Sequence, residues 1–283
     1  MLPHFGKTHR RSACATPTRK GPDIFLEYYG RTDVGRKREH NEDTFYFSKA
    51  ESFCVVADGM GGRKSGEVAS KLCVDILRKH FHYYAPKYRP TDSPEDVRRS
   101  ITMLTTLLKD WIQKINNEIY QLGCQEAKQG NMGTTLVLLH LYASHGILAH
   151  VGDSRIYRIR DDEGIRQVTE DHSLINEEIK RKRITEEEAK RHTRKNIVTR
   201  ALGTRPQVEP DIQVLLVEDG DVFLLCTDGL SDLVSDDEMG NIVLNNIEDL
   251  DFALGTLIDL ANARGGKDNI TVLVAQAFDL PDR

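Results

Sequence analysis

Acidic side chains in this sequence stand repeatedly against the ends of apolar runs. Val55-Val56-Ala57 leads into Asp58-Gly59, Leu224-Leu225-Cys226-Thr227 leads into Asp228-Gly229, and Asp153 follows a run that ends near Val151. Asp268 and the Glu42-Asp43 pair stand just before such runs. In antiparallel neighbours the end of one strand lies beside the start of the next, so these carboxylates can gather at one rim of a sheet. Carboxylates gathered there at neutral pH must take up protons or bind cations, because repulsion and desolvation otherwise cost too much. An all-oxygen donor set selects hard ions, magnesium or manganese, over zinc. Taken singly, each acid reads as a turn former, since Asp-Gly is a common turn dipeptide. Glu218-Asp219-Gly220-Asp221 reads that way throughout, as a hairpin connection between two strands.

The elements that must position these acids are legible around them. Short β-branched or aromatic segments at 44–47, 53–57, 134–142, 146–151, 154–159, 212–217, 222–226 and 270–277 read as strands. Several are apolar at consecutive positions, as in Val222-Phe223-Leu224-Leu225, which predicts sheets covered on both faces. Ser93, Pro94 and Asp96 open a long helix that Gly123 is expected to follow. Val97, Ile101, Leu104, Leu108, Trp111, Ile115, Ile119 and Leu122 form its apolar stripe. A second helix over about 66–82 places Val68, Leu72, Ile76 and Leu77 on one face. A third over about 250–264 presents Leu254, Leu257, Ile258 and Ala261. Many antiparallel strands with helices grouped among them predict an α+β fold, a β-sandwich with helices on its outer faces, rather than an alternating β-α-β sheet.

The chain has 283 residues, 39% hydrophobic and 29% charged, with a net charge of −5. That balance argues against collagen, wholesale disorder and a general nucleic-acid binder. No apolar run approaches the roughly 18–20 residues that span a bilayer, so no membrane partner is expected. The five cysteines are odd in number and form no C-x-x-C pair. Cys54 and Cys226 lie within apolar runs, as buried free thiols of a reducing, cytoplasmic compartment would. Residues 1–22 read as a basic flexible tail, with Lys7, Arg10, Arg11, Arg19 and Lys20 and no acid. An organellar transit peptide is the less favoured reading of that tail. Residues 23–283 are expected to form one domain.

Taken jointly, the segments resemble the metal-dependent protein phosphatases of type 2C, most closely their short bacterial members. The resemblance rests on Thr32-Asp33-Val34-Gly35-Arg36-Lys37-Arg38-Glu39-His40-Asn41-Glu42-Asp43, Val56-Ala57-Asp58-Gly59-Met60-Gly61-Gly62, Met132-Gly133-Thr134-Thr135 and Val151-Gly152-Asp153-Ser154-Arg155. It continues through Asp171-His172-Ser173, Thr199-Arg200-Ala201-Leu202-Gly203, Cys226-Thr227-Asp228-Gly229-Leu230-Ser231-Asp232 and Lys267-Asp268-Asn269-Ile270-Thr271, in the family's order.

What the resemblance implies is an α-β-β-α sandwich that hydrolyses phosphoserine and phosphothreonine in proteins with a metal-activated water. Two magnesium or manganese ions, and a weaker third, are implied. Asp58 would bridge the two, with the Gly59 carbonyl on one and Asp228 and Asp268 on the other. Glu42 and Asp43 would hold metal-bound waters or touch a metal, Asp153 and Asp228 would form the third site, and Arg38 would grip the substrate phosphate. The expected partners are phosphoproteins, a serine/threonine kinase and its substrates among them, met by a monomer. Family members often carry histidine where Met60 or Arg63 stands here, and arginine cannot act as a general acid. His40 is the weak substitute candidate. Residues 171–199, with the basic run Lys180-Arg181-Lys182-Arg183, match the family's flap; a solvated helical hairpin is the plain alternative. Two rival functions share these features, a non-catalytic phosphoprotein-binding pseudophosphatase and a metal-dependent phosphodiesterase. The first would have lost carboxylates such as Asp58, Asp228 and Asp268, which are all present.

Overall fold

In the computed structural model, the residues described are 24–61, 65–87, 93–125, 132–185, 188 and 197–279. The tail at 1–22, Arg63 and most of the second half of the flap lie outside them. The strands are β1 (Ile24–Asp33), β2 (Thr44–Ser48), β3 (Phe53–Ala57), β4 (Gly59–Met60), β5 (Gly133–Thr134), β6 (Leu136–Tyr142), β7 (His145–Val151), β8 (Arg155–Arg160), β9 (Gly164–Gln167), β10 (Asp211–Leu216), β11 (Val222–Cys226) and β12 (Ile270–Asp279). One sheet runs β1-β12-β11-β8-β9, a second runs β10-β7-β6-β3-β2, and β4 pairs with β5 apart from them. Every pairing is antiparallel.

Strand alternation divides each apolar run between two cores. In β3, Cys54 and Val56 face the space between the sheets while Phe53, Val55 and Ala57 face helices α1 (Ser65–Tyr84) and α2 (Pro94–Gln125). In β11, Phe223 and Leu225 face the intersheet core. Val222, Leu224 and Cys226 face the other helical layer, which includes α4 (Asp228–Ser231), α5 (Asp236–Asn245) and α6 (Leu250–Ala263). The product is an α-β-β-α sandwich, and the consecutive apolar positions are explained by burial on both faces. A short α3 (Leu174–Lys180) follows the Asp171-His172-Ser173 motif, capped by Ser173 Oγ on the Asn176 amide.

Three local expectations are corrected. Gly123 lies inside α2, which runs two residues further to Gln125. Val68 is 47% exposed, and the buried face of α1 is instead Ala69, Ser70, Cys73, Val74, Ile76, Leu77 and Phe81. Small residues at 65, 66, 69 and 70 let the helix approach β4 closely, which turns Val68 outward. The connection Glu218–Asp221 is not a hairpin, since β10 and β11 belong to different sheets. Buried Asp221 anchors that crossing: its carboxylate accepts from Arg160 Nε and from the Glu218 amide at 3.0 Å, and its carbonyl accepts from Ala277 N–H at 2.8 Å.

Candidate metal centre

Strand register brings the acids together. Thr44 pairs with Ala57, so Asp43 just before β2 lies across from Asp58 just after β3. Cys226 pairs with Val272, so Thr227 and Asp228 at the end of β11 meet the start of β12, which Asp268 and Asn269 precede. Val151 pairs with Leu136 beside β3, placing Asp153 at the same rim. Asp43, Asp58, Asp153, Asp228 and Asp268 thus converge where the two sheets meet, with Glu42 at the border and the Gly59 amide donating to the Glu42 carbonyl at 3.2 Å. Arg38 is 48% exposed and donates to Asp268 Oδ2 at 2.7 Å. Met60 is partly exposed on β4, and His40 is exposed.

Four threonines that stand in the quoted motifs without an assigned role build the scaffold. Thr227 Oγ1 and Thr271 Oγ1 both donate to Asp43 Oδ2, at 3.0 and 2.7 Å. The Asp58 amide donates to Thr135 Oγ1 at 2.9 Å, and Thr134 Oγ1 donates to the Asp58 carbonyl at 2.9 Å. Thr135 Oγ1 also meets Ser154 Oγ at 2.7 Å, tying the Asp58 turn to the Asp153 turn. Asn269 was likewise missed. Its Oδ1 accepts from the Glu42 amide, and its Nδ2 donates to the carbonyls of Val34 and His40. The Asp-Asn pair before a strand was the available signal.

The electrostatics of this centre are those of a place for cations. Burial, then the charges of Asp43, Asp228, Asp153 and Asp268, pushes the Asp58 carboxyl well above the ordinary carboxylate range. Burial pushes Asp43 and Asp153 each up to about 7, and burial with Asp268 and Asp232 pushes Asp228 up to about 6. Contact with Asp58 works against that rise at Asp228. The buried Oδ1 of Asp228 has no hydrogen-bond partner. A buried carboxylate oxygen without a partner, among carboxyls that burial and one another's charge push up, fits a divalent ion, and the all-oxygen donors fit magnesium or manganese.

A stability consequence follows. Because these carboxyls titrate higher folded than unfolded, the metal-free fold binds more protons, and its stability is lost as pH rises through about 6 to 7. Buried His140 and His150, pushed down to about 4, oppose this below the ordinary histidine range of about 6.5. The metal-free melting temperature is therefore expected to rise as pH falls from about 8 to about 6.5. The increment given by manganese should be larger at the upper end, where no protons need be displaced. Scanning calorimetry in chelator and in manganese measures both; a metal-free melting temperature that climbs toward pH 8 would contradict the raised carboxyls.

Comparison with known proteins gives a consistent set. The family model of protein phosphatase 2C matches residues 33–259. The chain is 39% identical over 244 residues to protein phosphatase PhpP of Streptococcus pneumoniae, covering 85% of this chain and 93% of that one. The structure is similar to the serine/threonine phosphatase of S. agalactiae, with a TM-score of 0.75 and 35% identity over 89% of this chain and 99% of that one. It is similar to the catalytic domain of the serine/threonine protein phosphatase PstP in complex with 2 manganese ions, with a TM-score of 0.74 and 33% identity over 90% of this chain and 100% of that one.

Proposed function

The chain belongs to the protein phosphatase 2C family and is a metal-dependent protein serine/threonine phosphatase, and we propose which of its residues carry that activity. Asp58 would hold both of two ions, the Gly59 carbonyl would serve one, and Asp228 and Asp268 would serve the other. Glu42 and Asp43 would hold metal-bound waters or touch a metal, and Asp153 with Asp228 would take a weaker third ion. The observation that carries this reading is the crowding of buried aspartates at one rim, where Asp43, Asp58, Asp153 and Asp228 are all pushed up and Asp228 Oδ1 is buried without a hydrogen-bond partner. Magnesium or manganese, when bound, would lower the pKa of water toward neutrality and offset the charge that develops on phosphorus.

The chain's own residues supply the rest. Asp43 is held by two threonine hydroxyls, so its second oxygen is free to orient water toward the centre. Asp153 sits at the same rim, a position from which it can direct a proton toward the leaving alkoxide. Met60 cannot transfer a proton, and Arg63 lies outside the described residues. Arg38 stands at the mouth, half exposed, and its guanidinium fork suits a phosphate dianion once Asp268 turns to an ion.

Arg38→Ala tests that division. Loss of a charged hydrogen bond worth about 1.5–3 kcal/mol corresponds to a fall of about ten- to 150-fold in kcat/KM on a phosphothreonine peptide. Manganese affinity should hold or tighten, because Asp268 loses a competing cation. Unchanged kinetics, or weakened manganese binding, would remove Arg38 from the phosphate.

Substrates are phosphoproteins, and we place a serine/threonine kinase and its targets among them, acted on by a monomer. A cytoplasmic setting is supported by Cys54, Cys73 and Cys226, buried thiols without disulfides. No helix among the described residues is long and apolar enough to cross a membrane. The basic run of the flap offers little to nucleic acid, since Lys180, Arg181 and Arg183 pair with Glu170, Glu177 and Glu178.

A further inference from the structure

Gly152 separates the end of β7 from Asp153, and its backbone decides where that carboxylate points. Its φ is +115°, and a Cβ there would lie 2.6 Å from Thr135 Cγ2, so the turn is both left-handed and tightly packed. Both hydrogen-bonding groups of Gly152 go to one residue. The His172 amide donates to the Gly152 carbonyl at 2.7 Å, and the Gly152 amide donates to His172 Nδ1 at 3.1 Å. His172 is 8% exposed, and its own carbonyl accepts from the Thr199 amide at 2.8 Å, where the chain returns from the flap.

Acceptance at Nδ1 requires a neutral ring with its proton on Nε2. Asp211 Oδ2 lies 3.3 Å from that nitrogen and holds the tautomer, while Arg200 Nη1 directs its two hydrogens to Asp211 Oδ1 at 3.0 Å and the Glu209 carbonyl at 2.9 Å, so that its 3.1 Å approach to Nε2 is a contact and not a hydrogen bond. The His150 ring stacks on His172 at 4.2 Å and keeps its plane. Burial holds His172 below the ordinary histidine range, which keeps it neutral.

His150, His172 and Asp211 also have the composition of a transition-metal site, and His150 Nε2 is buried without a partner. Arg200 rules against that use. Its guanidinium stands 3.1 Å from His172 Nε2 and 3.0 Å from Asp211 Oδ1, in the space an ion would need. Coordination at Nε2 would also move the ring proton onto Nδ1, against the Gly152 N–H.

We propose that His172 is a positioning residue for the phosphatase reaction: it clamps Gly152 by both peptide groups and so sets Asp153 for the weaker third ion, with Asp211 fixing the tautomer. The proposal rests on the reading of Asp153 as a ligand of that ion, and it also links the base of the flap to the centre, because His172 opens the flap segment.

His172→Leu keeps bulk and removes the acceptor, whereas His172→Asn can place an amide oxygen where Nδ1 stood. Manganese calorimetry and phosphothreonine-peptide kinetics are measured on both, with Asp153→Asn alongside. The loss of one buried acceptor is expected to weaken the third site about tenfold in His172→Leu, with a matching fall in kcat, little change in KM and both tight ions retained. His172→Asn should stay close to wild type. If His172→Leu fails to fold, Asp211→Ala, at a 44% exposed position, should weaken the same site by freeing the tautomer. Equal losses in His172→Leu and His172→Asn would overturn the clamp, as would an intact third site in His172→Leu or in Asp211→Ala while Asp153→Asn loses it. A third site that survives Asp153→Asn would instead overturn the reading of Asp153 on which the clamp rests.

Discussion

Asp58→Asn is expected to lower kcat on a phosphothreonine peptide by about a thousandfold or more, since several kcal/mol of charge stabilisation depend on the ions that this residue is proposed to hold. The same substitution should raise, not lower, the metal-free melting temperature near neutral pH. It removes one carboxyl from a buried set in which burial and four neighbouring aspartates already push Asp58 far up. The Asp58 amide and carbonyl, which bond Thr135 and Thr134, are untouched by the change. Paired kinetics and calorimetry therefore separate a catalytic loss from misfolding. Near-wild-type turnover at saturating manganese would sink the assignment of Asp58.

The second large effect is expected at a residue with no side chain. Gly229 opens α4 next to Asp228, and a Cβ there would lie 1.9 Å from the Asn269 carbonyl oxygen and 2.9 Å from its carbon. Neither partner can yield cheaply, because Asn269 holds the Glu42 amide and the carbonyls of Val34 and His40. Gly229→Ala should therefore part Asp228 from Asp268 and shift the Arg38–Asp43 segment together. Overpacking of this kind costs about 1–3 kcal/mol, several degrees in melting temperature for a domain of this size, and the displaced carboxylates should abolish tight manganese binding. Gly220→Ala is the control. Its φ is +83° but its Cβ would meet nothing within 4 Å, so it should cost about 1–2 kcal/mol of backbone strain and leave turnover unchanged. A Gly229→Ala protein that binds manganese and melts like wild type would show that the close approach is not needed.

What the sequence made legible was what local pattern controls. The apolar runs at 53–57 and 222–226 are strands with those bounds, and the acids at 58 and 228 stand just past them. The α2 stripe from Ile101 to Ile119 is buried as its spacing requires. What was not legible depends on partners distant in the chain. Thr227 and Thr271 are ordinary strand residues until the β11–β12 register sets both hydroxyls on Asp43. Glu218–Asp221 has the composition of a hairpin, and only the sheet assignment of β10 and β11 shows that it crosses between layers. Val68 satisfies the helical period but faces water, because the small residues beside it mark the buried face more strongly than its own hydrophobicity does. Strand β1 pairs along its whole length with β12 and buries Ile24, Leu26 and Tyr28 in alternation, although Phe25 and Tyr29 between them hide that period in the sequence.

Phosphate release from a phosphothreonine peptide by the chelated protein, before and after manganese is added, with a phosphodiester run in parallel, tests most directly whether this carboxylate rim is a phosphatase centre. No turnover in chelator, recovery with manganese and strong preference for the monoester are the expected results. Turnover that ignores the chelator, a diester rate equal to the monoester rate, or binding of the phosphopeptide without hydrolysis at saturating manganese would contradict it.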